Sequence, residues 1–328
     1  MDSLADIQLP NTGQLAIPLY IIGILIEFGL VCLGKAKGQY ERRDAMTSLL
    51  MGVGNVATGI IYAVVLIAMM QWAYSYRIFD PGITWWSAVL CFVLDDFRRY
   101  VYHAGLHRIR WWWADHVNHH SSQHFNFTTA LRQPWTTIFT GSFLLYLPLA
   151  WLGFHPLLIL FVGGINLTYQ FFVHTETVGK LWKPIEFVLN TPSHHRVHHS
   201  NNPRYLDANY AAVLIIWDRI FGTFVEEREE DVPKYGLVQN IGTFNLFFVA
   251  FHEWISIFKD MAKPGLTLRE RLMYMFAAPG WSHDGSRKTS WDLKAQYVRK
   301  HPDQSGMPGL PDLVAKNDGS AGRVQPAE

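Results

Sequence analysis

The sequence predicts an all-α integral membrane protein, with about four transmembrane helices and a cytosolic helical cap that carries a histidine-rich dimetal site. Three observations lead to this fold class. Long apolar segments fill much of the chain, 12 of the 15 histidines lie between His103 and His199, and the loops differ in basic residues. The net charge of +1 and the absence of a basic patch argue against a nucleic-acid partner.

The first two membrane spans are predicted at residues 17–34 and at roughly 49–70. Each is long enough to cross a hydrocarbon core of about 30 Å as a helix. Glu27 lies inside the first span, where a charge is costly in lipid, so we expect it to face the protein interior and pair with a polar neighbour. Both cysteines, Cys32 and Cys91, lie in apolar segments and imply neither a disulfide nor a thiolate metal site.

The third span is shorter. Residues 83–94 are apolar, and their continuation runs helically into the first histidine-rich segment at His103. We therefore expect one helix that enters the membrane and carries its charged end out of it. Asp96 lies seven residues before His103 on the same face and is a candidate to orient that ring through a hydrogen bond. The alternative for this acidic pair is a helix-end salt bridge between Asp95 and Arg99.

A membrane hairpin is predicted next. Residues 133–173 contain no Asp, Glu, Lys or Arg, which is unusual for a water-soluble fold. A Gly-Phe-His-Pro turn at residues 153–156 divides the segment into two spans of about 18 residues, 136–153 and 156–173.

The basic residues orient these spans. The loop at residues 35–48 is rich in Lys and Arg, whereas the loop at residues 71–82 holds only Arg77. The positive-inside rule therefore puts the 35–48 loop in the cytoplasm. Counting spans from there places every histidine-rich segment on the cytosolic side. The N-terminus lacks basic residues before its apolar segment, so no cleavable signal peptide is expected.

Three histidine-rich segments carry the predicted chemistry: HAGLH at 103–107, HVNHH at 116–120 and HHRVHH at 194–199. Residues three and four apart share one face of a helix. Adjacent positions diverge by about 100°, so each adjacent HH pair can serve two metal ions. Eight imidazoles exceed the ligands of one zinc ion and favour a two-metal site with open positions. The predicted ligands are His103, His107, His116, His119, His120, His195, His198 and His199.

Other histidines are assigned differently. His174 follows a long apolar segment and is a candidate ninth ligand. His194, four residues before His198, is expected to support the ligands through hydrogen bonds instead of binding metal. His155, His283 and His301 lie in a turn or in the polar tail and are not expected to bind metal.

Neutral imidazoles with few carboxylates leave a metal electron-poor, which suits redox chemistry, and nitrogen ligands suit iron, copper, zinc and nickel. Beside a bilayer, the natural reaction is oxygen activation and attack on an unactivated C–H bond of a lipid. A membrane zinc hydrolase is one alternative, although none of the three segments contains the Glu that an HExxH-type site would supply as general base. A metal transporter or sensor is another, but its histidines would be expected within the spans.

These segments also resemble a known family, the fatty acid hydroxylase and sterol desaturase superfamily of integral-membrane non-haem di-iron oxygenases. The resemblance covers about residues 95–225 and extends beyond the histidines into NTPSHHRVHH at 190–199 and LIIWDRIFGTF at 214–224. Within the superfamily, it is nearest to the bacterial sterol-desaturase-like and alkylglycerol monooxygenase branches.

The resemblance implies that the eight predicted ligands bind two irons in a cytosolic cap above four membrane helices. It implies an O2-dependent oxygenase that hydroxylates or desaturates a lipid such as a sterol, a fatty acyl chain or an ether lipid. No electron-transfer domain is recognisable in the chain, so we expect an external electron donor, either a pterin or a separate cytochrome or ferredoxin system.

The chain is expected to divide into three parts. Residues 1–240 form the membrane-embedded catalytic domain, with its histidine core at 95–225. Residues 241–282 form an interfacial segment, in which phenylalanines recur at helical spacing from Phe244 to Phe258. Residues 283–328 are polar and rich in Gly and Pro, and we expect them to be disordered.

Overall fold

A computed structural model describes residues 9–10 and 12–313 of the chain. Within these residues the regular structure is helical, and no strand is formed. The α-helices are α1 (Thr12–Cys32), α2 (Arg42–Ser75), α3 (Trp85–Arg108), α4 (Arg110–His120), α5 (Leu147–Leu152), α6 (Pro156–Phe172), α7 (Lys183–Val188), α8 (Pro192–His198), α9 (Ile216–Ile220), α10 (Leu246–Met261), α11 (Leu268–Phe276) and α12 (Ser290–Lys300). Short 3-10 turns lie at Thr129–Leu131, Thr137–Thr140, Ser142–Tyr146 and Pro302–Gln304.

Among the described residues, α1 and α2 are long and apolar enough to cross a membrane. Only 11% of the apolar window of each helix is buried inside the protein, so their Leu, Ile and Val side chains face outward. Lipid solvates such a surface and water does not, which places the protein at a membrane. The prediction of two N-terminal apolar helices is confirmed, and α2 begins earlier than expected because Glu41 caps it at the Asp44 amide.

The buried carboxylate of α1 is fully paired. Glu27 is 2% exposed and accepts hydrogen bonds from the Tyr40 hydroxyl, the Thr175 hydroxyl and the Phe127 amide. Tyr40 follows α1, Thr175 follows α6 and Phe127 follows the second histidine segment. The Glu27 side chain therefore links three parts of the chain. Glu27 faces the interior, as predicted.

The third predicted helix is confirmed as one continuous element. A capping box between Thr84 and Ser87 starts α3, which runs from the apolar segment through the first histidine segment. Asp95 is fully buried and bonds both Arg98, at 2.7 Å, and Arg99, at 2.8 Å. The salt-bridge alternative for this acidic pair therefore holds for Asp95.

The predicted membrane hairpin is only half regular. Its second leg is α6, but the first leg is broken into two 3-10 turns and the six-residue α5. Gly141 adopts a left-handed conformation with φ of 68°, which interrupts the helix. The indole nitrogens of Trp111 and Trp112 donate to the carbonyls of Phe139 and Thr140 at 3.0 and 2.9 Å, so α4 supplies partners that a regular helix would not need.

A buried ion pair anchors the second histidine segment on α2. The Arg132 guanidinium, 2% exposed, donates to Asp44 Oδ1 at 2.8 Å and to Ser121 Oγ at 3.1 Å. The Ser122 hydroxyl donates to the other oxygen of Asp44. Because Ser121 directly follows His120, this network holds the end of α4 in place.

The expectation of disorder from residue 283 is wrong for residues 283–313, while residues 314–328 lie outside the described residues. A capping box between Thr289 and Asp292 starts α12, which buries Ala295 and Val298. Arg204 Nη2 donates to Gln304 Oε1 at 2.6 Å. Composition suggested a solvated tail, but these capping and tertiary contacts order the segment against the loop that follows the third histidine segment.

Candidate metal centre

Four parts of the chain bring histidines to one buried place. The first segment lies on the last turns of α3 and the second on the C-terminal half of α4. The third lies on α8 and its C-cap, and His174 follows the end of α6.

The rings form two groups, and within each group the candidate ligand nitrogens lie within 4.8 Å of one another. The adjacent pairs are divided between the groups, as the divergence of neighbouring helical positions predicts. The structure therefore brings together all eight predicted ligands and the candidate ninth, His174. The first group contains His103, His107, His116, His120 and His198, and the second contains His119, His174, His195 and His199.

The contacts within each group match ligands around one ion. In the first group, His116 Nε2 lies 3.0 Å from His103 Nε2 and 3.1 Å from His120 Nε2. In the second, His174 Nε2 lies 3.2 Å from His119 Nε2 and 2.9 Å from His195 Nε2. Two nitrogens at the usual distance of about 2.1 Å from one metal ion are about 3 to 3.4 Å apart.

Backbone carbonyls set the tautomer of three rings. His103 Nδ1 lies 2.8 Å from the Tyr210 oxygen, His174 Nδ1 2.7 Å from the Gln170 oxygen and His198 Nδ1 2.9 Å from the Ala208 oxygen. A carbonyl can only accept, so each Nδ1 carries the proton and each Nε2 presents its lone pair to the group. Metal-binding imidazoles use this arrangement.

Unpartnered nitrogens show that the groups fit a metal. The Nε2 atoms of His107, His198 and His199 are buried and have no hydrogen-bond partner. A buried polar atom without a partner costs free energy unless something binds it. A metal ion in each group would satisfy these lone pairs, so the donor set fits two ions.

Burial also holds the rings in the ligand-competent state. Desolvation, reinforced by neighbouring imidazoles, lowers the pKa of six group histidines on α4, on α8 and at the α8 C-cap well below the ordinary value. Neutral rings therefore prevail at neutral pH, and no proton competes with a metal. These histidines are His116, His119, His120, His195, His198 and His199.

The loop after the third segment supplies a partner that the sequence analysis missed. Asp207 Oδ1 lies 3.3 Å from His107 Nδ1. Asp207 and Asn209 have φ of 51° and 57°, a conformation that Asp and Asn tolerate better than most residues. The Asn209 amide holds the turn by donating to the carbonyls of His194 and Val225. The signal available in the sequence was an Asp and an Asn flanking one residue shortly after the histidines.

Replacing Asp207 by Ala should lower metal affinity in the first group by about 10- to 100-fold, because the His107 ring loses its orienting acceptor. Metal titration of the purified apoprotein measures this change. Asp303→Ala is a matched control, since Asp303 is exposed and lies outside both groups. An unchanged affinity in Asp207→Ala would contradict the role of this carboxylate.

Two predicted supporting residues act elsewhere. Asp96 does not orient His103; its carboxylate accepts from the amides of Val213 and Leu214 and from Trp217 Nε1. Those buried donors require an acceptor, and they occupy the carboxylate. His194 bonds Glu186 at 2.9 Å and belongs to neither group, so its ring stabilises the start of α8.

A cavity of about 740 Å³ adjoins the first group and reaches the protein surface. His107, His120, His198 and His199 form its inner end. Its remaining lining is mixed, with aliphatic side chains such as Leu237 and Ile241 beside polar side chains from α4, α10 and the segment before α12. The polar side chains include Arg110, Glu253, Ser256, Arg287 and Lys288.

Comparison with known proteins indicates which protein family the histidine-bearing region resembles. Residues 88–223 match the model of the fatty acid hydroxylase family, and every histidine of the two groups falls within that match. This part of the chain is therefore similar to the fatty acid hydroxylase family.

Particular relatives extend the similarity. The chain is 39% identical to the human alkylglycerol monooxygenase over 280 residues, which are 84% of this chain and 61% of the relative. It is 28% identical over 203 residues to an ornithine lipid hydroxylase of Rhizobium tropici, covering 58% of this chain and 59% of the relative. A cholesterol 25-hydroxylase-like protein of Danio rerio is 26% identical over 167 residues, covering 48% and 64%. The chain thus spans about three fifths of the length of these relatives, and no solved structure matches it.

Proposed function

We propose that the protein is a membrane-bound, O2-dependent oxygenase that hydroxylates or desaturates an unactivated C–H bond of a lipid. The observation that carries this proposal is the pair of buried, all-histidine groups within the region that matches the fatty acid hydroxylase family. Neutral imidazoles suit a redox-active metal. The two groups are adjacent, because each HH pair contributes one ring to each group.

The proposed cofactor is a di-iron centre held by the nine histidines of the two groups. The fatty acid hydroxylase family is iron-dependent in general, which supports iron over other metals that bind imidazole. Bound iron supplies the one-electron chemistry that O2 activation requires. The chain's own contribution is orientation: the Tyr210, Gln170 and Ala208 carbonyls hold three rings and Asp207 holds a fourth.

The proposed substrate is an amphiphilic lipid. The relatives are named for alkylglycerol, ornithine lipid and cholesterol, which share a polar group on a large apolar body. A sterol, a fatty acyl chain and an ether lipid therefore all remain in the proposed class. Electrons come in this proposal from an external donor, either a pterin or a separate cytochrome or ferredoxin system.

The proposed topology is multi-pass, with both histidine groups on the cytosolic side. The basic loop between α1 and α2 supports this orientation. In this proposal residues 1–240 form the catalytic domain and residues 241–282 lie at the membrane interface. The broken first leg of the hairpin, which packs against α2 and α4, forms an irregular fourth crossing in this proposal.

The test is metal analysis followed by product analysis. Protein purified in detergent from iron-supplied cells should contain about two irons per chain. Incubated with lipid extract, a reductant and 18O2, it should yield a lipid that has gained one labelled oxygen or lost two hydrogens. Chelation should abolish the reaction and ferrous iron should restore it. Bound zinc without iron, together with hydrolysis products, would support the membrane zinc hydrolase instead; bound metal without any product would support a transporter.

A further inference from the structure

Helix α10 presents different chemistry on two of its sides. His252, Glu253 and Ser256 line the cavity beside the histidines. On the neighbouring side Phe247, Phe248, Ile255 and Phe258 are exposed, with Phe247 70% accessible. At 100° per residue these four side chains cover an arc of about 100°. The same helix therefore borders both the site and an uncovered apolar surface.

Helix α11, which packs against α10, carries a second apolar stripe. Leu268, Leu272 and Phe276 recur every four residues and are all exposed, Leu268 to 73%. Single exposed apolar residues are ordinary, but repeated ones on one helix face indicate a partner. We call the two stripes together the α10–α11 surface, which comprises Phe247, Phe248, Ile255, Phe258, Leu268, Leu272 and Phe276.

Two observations identify lipid as the partner of this surface. First, it begins beside a candidate membrane span: Val249 and Ala250 of α10 share a core cluster with Met51 of α2, and the Phe247 ring contacts Trp135 at 5.7 Å between centroids. The exposed apolar side of α2 adjoins the same cluster, so the apolar exterior continues from the span onto α10.

Second, charge accompanies the stripes. Lys259 and Arg269 are exposed on α10 and α11. Of the nearby acids, Asp260 is buried in bonds to Arg110, Arg287 and Lys263, and Glu270 is engaged in the capping box with Thr267. Apolar side chains flanked by exposed basic residues are typical of helices that lie in the headgroup region of anionic membranes.

We propose that the α10–α11 surface is embedded in the leaflet of the membrane at which α1 and α2 reside. The mouth of the 740 Å³ cavity would then open at the lipid–water boundary, and α10 would lie between the cavity and the lipid. The delivery of a lipid across α10 to the histidines rests on the proposed oxygenase activity, whereas the embedding of the surface specifies which side chains hold residues 241–282 at the interface and requires no oxygenase activity.

The test is spin-label accessibility in nanodiscs of phosphatidylcholine and phosphatidylglycerol. Nitroxide labels are placed at Phe258→Cys and Leu272→Cys in a Cys32→Ser background, in which Cys91 is buried and unreactive. Val56→Cys on the lipid-facing side of α2 and Asp303→Cys on the polar surface serve as the two references.

Labels at Phe258 and Leu272 should collide with oxygen in preference to a water-soluble nickel chelate, as the Val56 label does. Preference for the nickel chelate, as at Asp303, would overturn the proposal. So would low accessibility to both reagents, which would mean that protein covers the surface, and dipolar broadening would identify that protein as a second copy.

A turnover measurement distinguishes failure of the embedded surface from failure of the proposed oxygenase activity. Leu272→Asp should lower turnover of bilayer-presented lipid several-fold but leave turnover of the same lipid in detergent micelles unchanged. An equal loss in both would contradict delivery across α10. Oxygen-preferring labels on a protein without oxygenase activity would overturn the proposed function and leave the embedded surface intact, because the accessibility measurement uses neither metal nor turnover.

Discussion

His198→Ala and His119→Ala should each abolish turnover and remove metal from the purified protein. His198 belongs to the first group and His119 to the second, so each variant should lose one ion preferentially. Residues that only orient a metal ligand are worth about 10- to 100-fold, so loss of a ligand should exceed about 100-fold. Iron per chain and the rate of labelled-oxygen incorporation measure the two effects.

The matched control is His301→Ala, which removes an exposed imidazole outside both groups. It should keep full metal content and activity. The two ligand variants should still fold, since the Asp44, Asp95 and Asp96 networks that position the helices contain no group histidine. Full activity in either ligand variant would contradict the site assignment.

Asp44→Ala should destabilise the protein strongly, because Asp44 connects α2 to Arg132 and to the residues that follow α4. It strips the buried Arg132 guanidinium of its carboxylate, and an uncompensated buried charge costs about 3–5 kcal/mol. The Ser122 hydroxyl loses its acceptor as well. Thermal unfolding in detergent, followed by circular dichroism, should show a lower Tm.

Two further variants test the cause. Asp44→Ala combined with Arg132→Met should recover much of the lost stability, because no charge is then left buried without a partner. Asp80→Ala removes the partner of Arg77 in an exposed pair and should change Tm little, since solvent screens such pairs. If the double variant were no more stable than Asp44→Ala, the buried charge would not be the source of the loss.

The two histidine groups were predictable because helical spacing determines the direction in which each side chain points. Histidines three and four apart share a face, and the adjacent pairs at 119–120 and 198–199 diverge, so their division between two groups follows from periodicity. His174 was placed as a candidate from its position alone, and the structure puts it in the second group. The apolar helices α1 and α2 were equally predictable from length and composition.

Residue spacing could not predict which distant groups would form hydrogen bonds with a given side chain or backbone segment. Asp96 lies on the expected face of α3, but the amides of Val213 and Leu214 occupy its carboxylate. The first leg of the hairpin has the composition of a span, yet Gly141 and the indoles of α4 favour a broken path. Both outcomes depend on groups far away in sequence, which a local pattern does not contain.

The three carbonyls that orient His103, His174 and His198 have a consequence for how the site tolerates change. Main-chain oxygens at positions 210, 170 and 208 survive any side-chain substitution that leaves the path of the chain unaltered. The orientation of these three imidazole rings is therefore set by the path of the backbone and not by the side chains of residues 170, 208 and 210. A substitution at one of these three positions therefore keeps the carbonyl acceptor, whereas the orientation of His107 depends on a single side chain, Asp207.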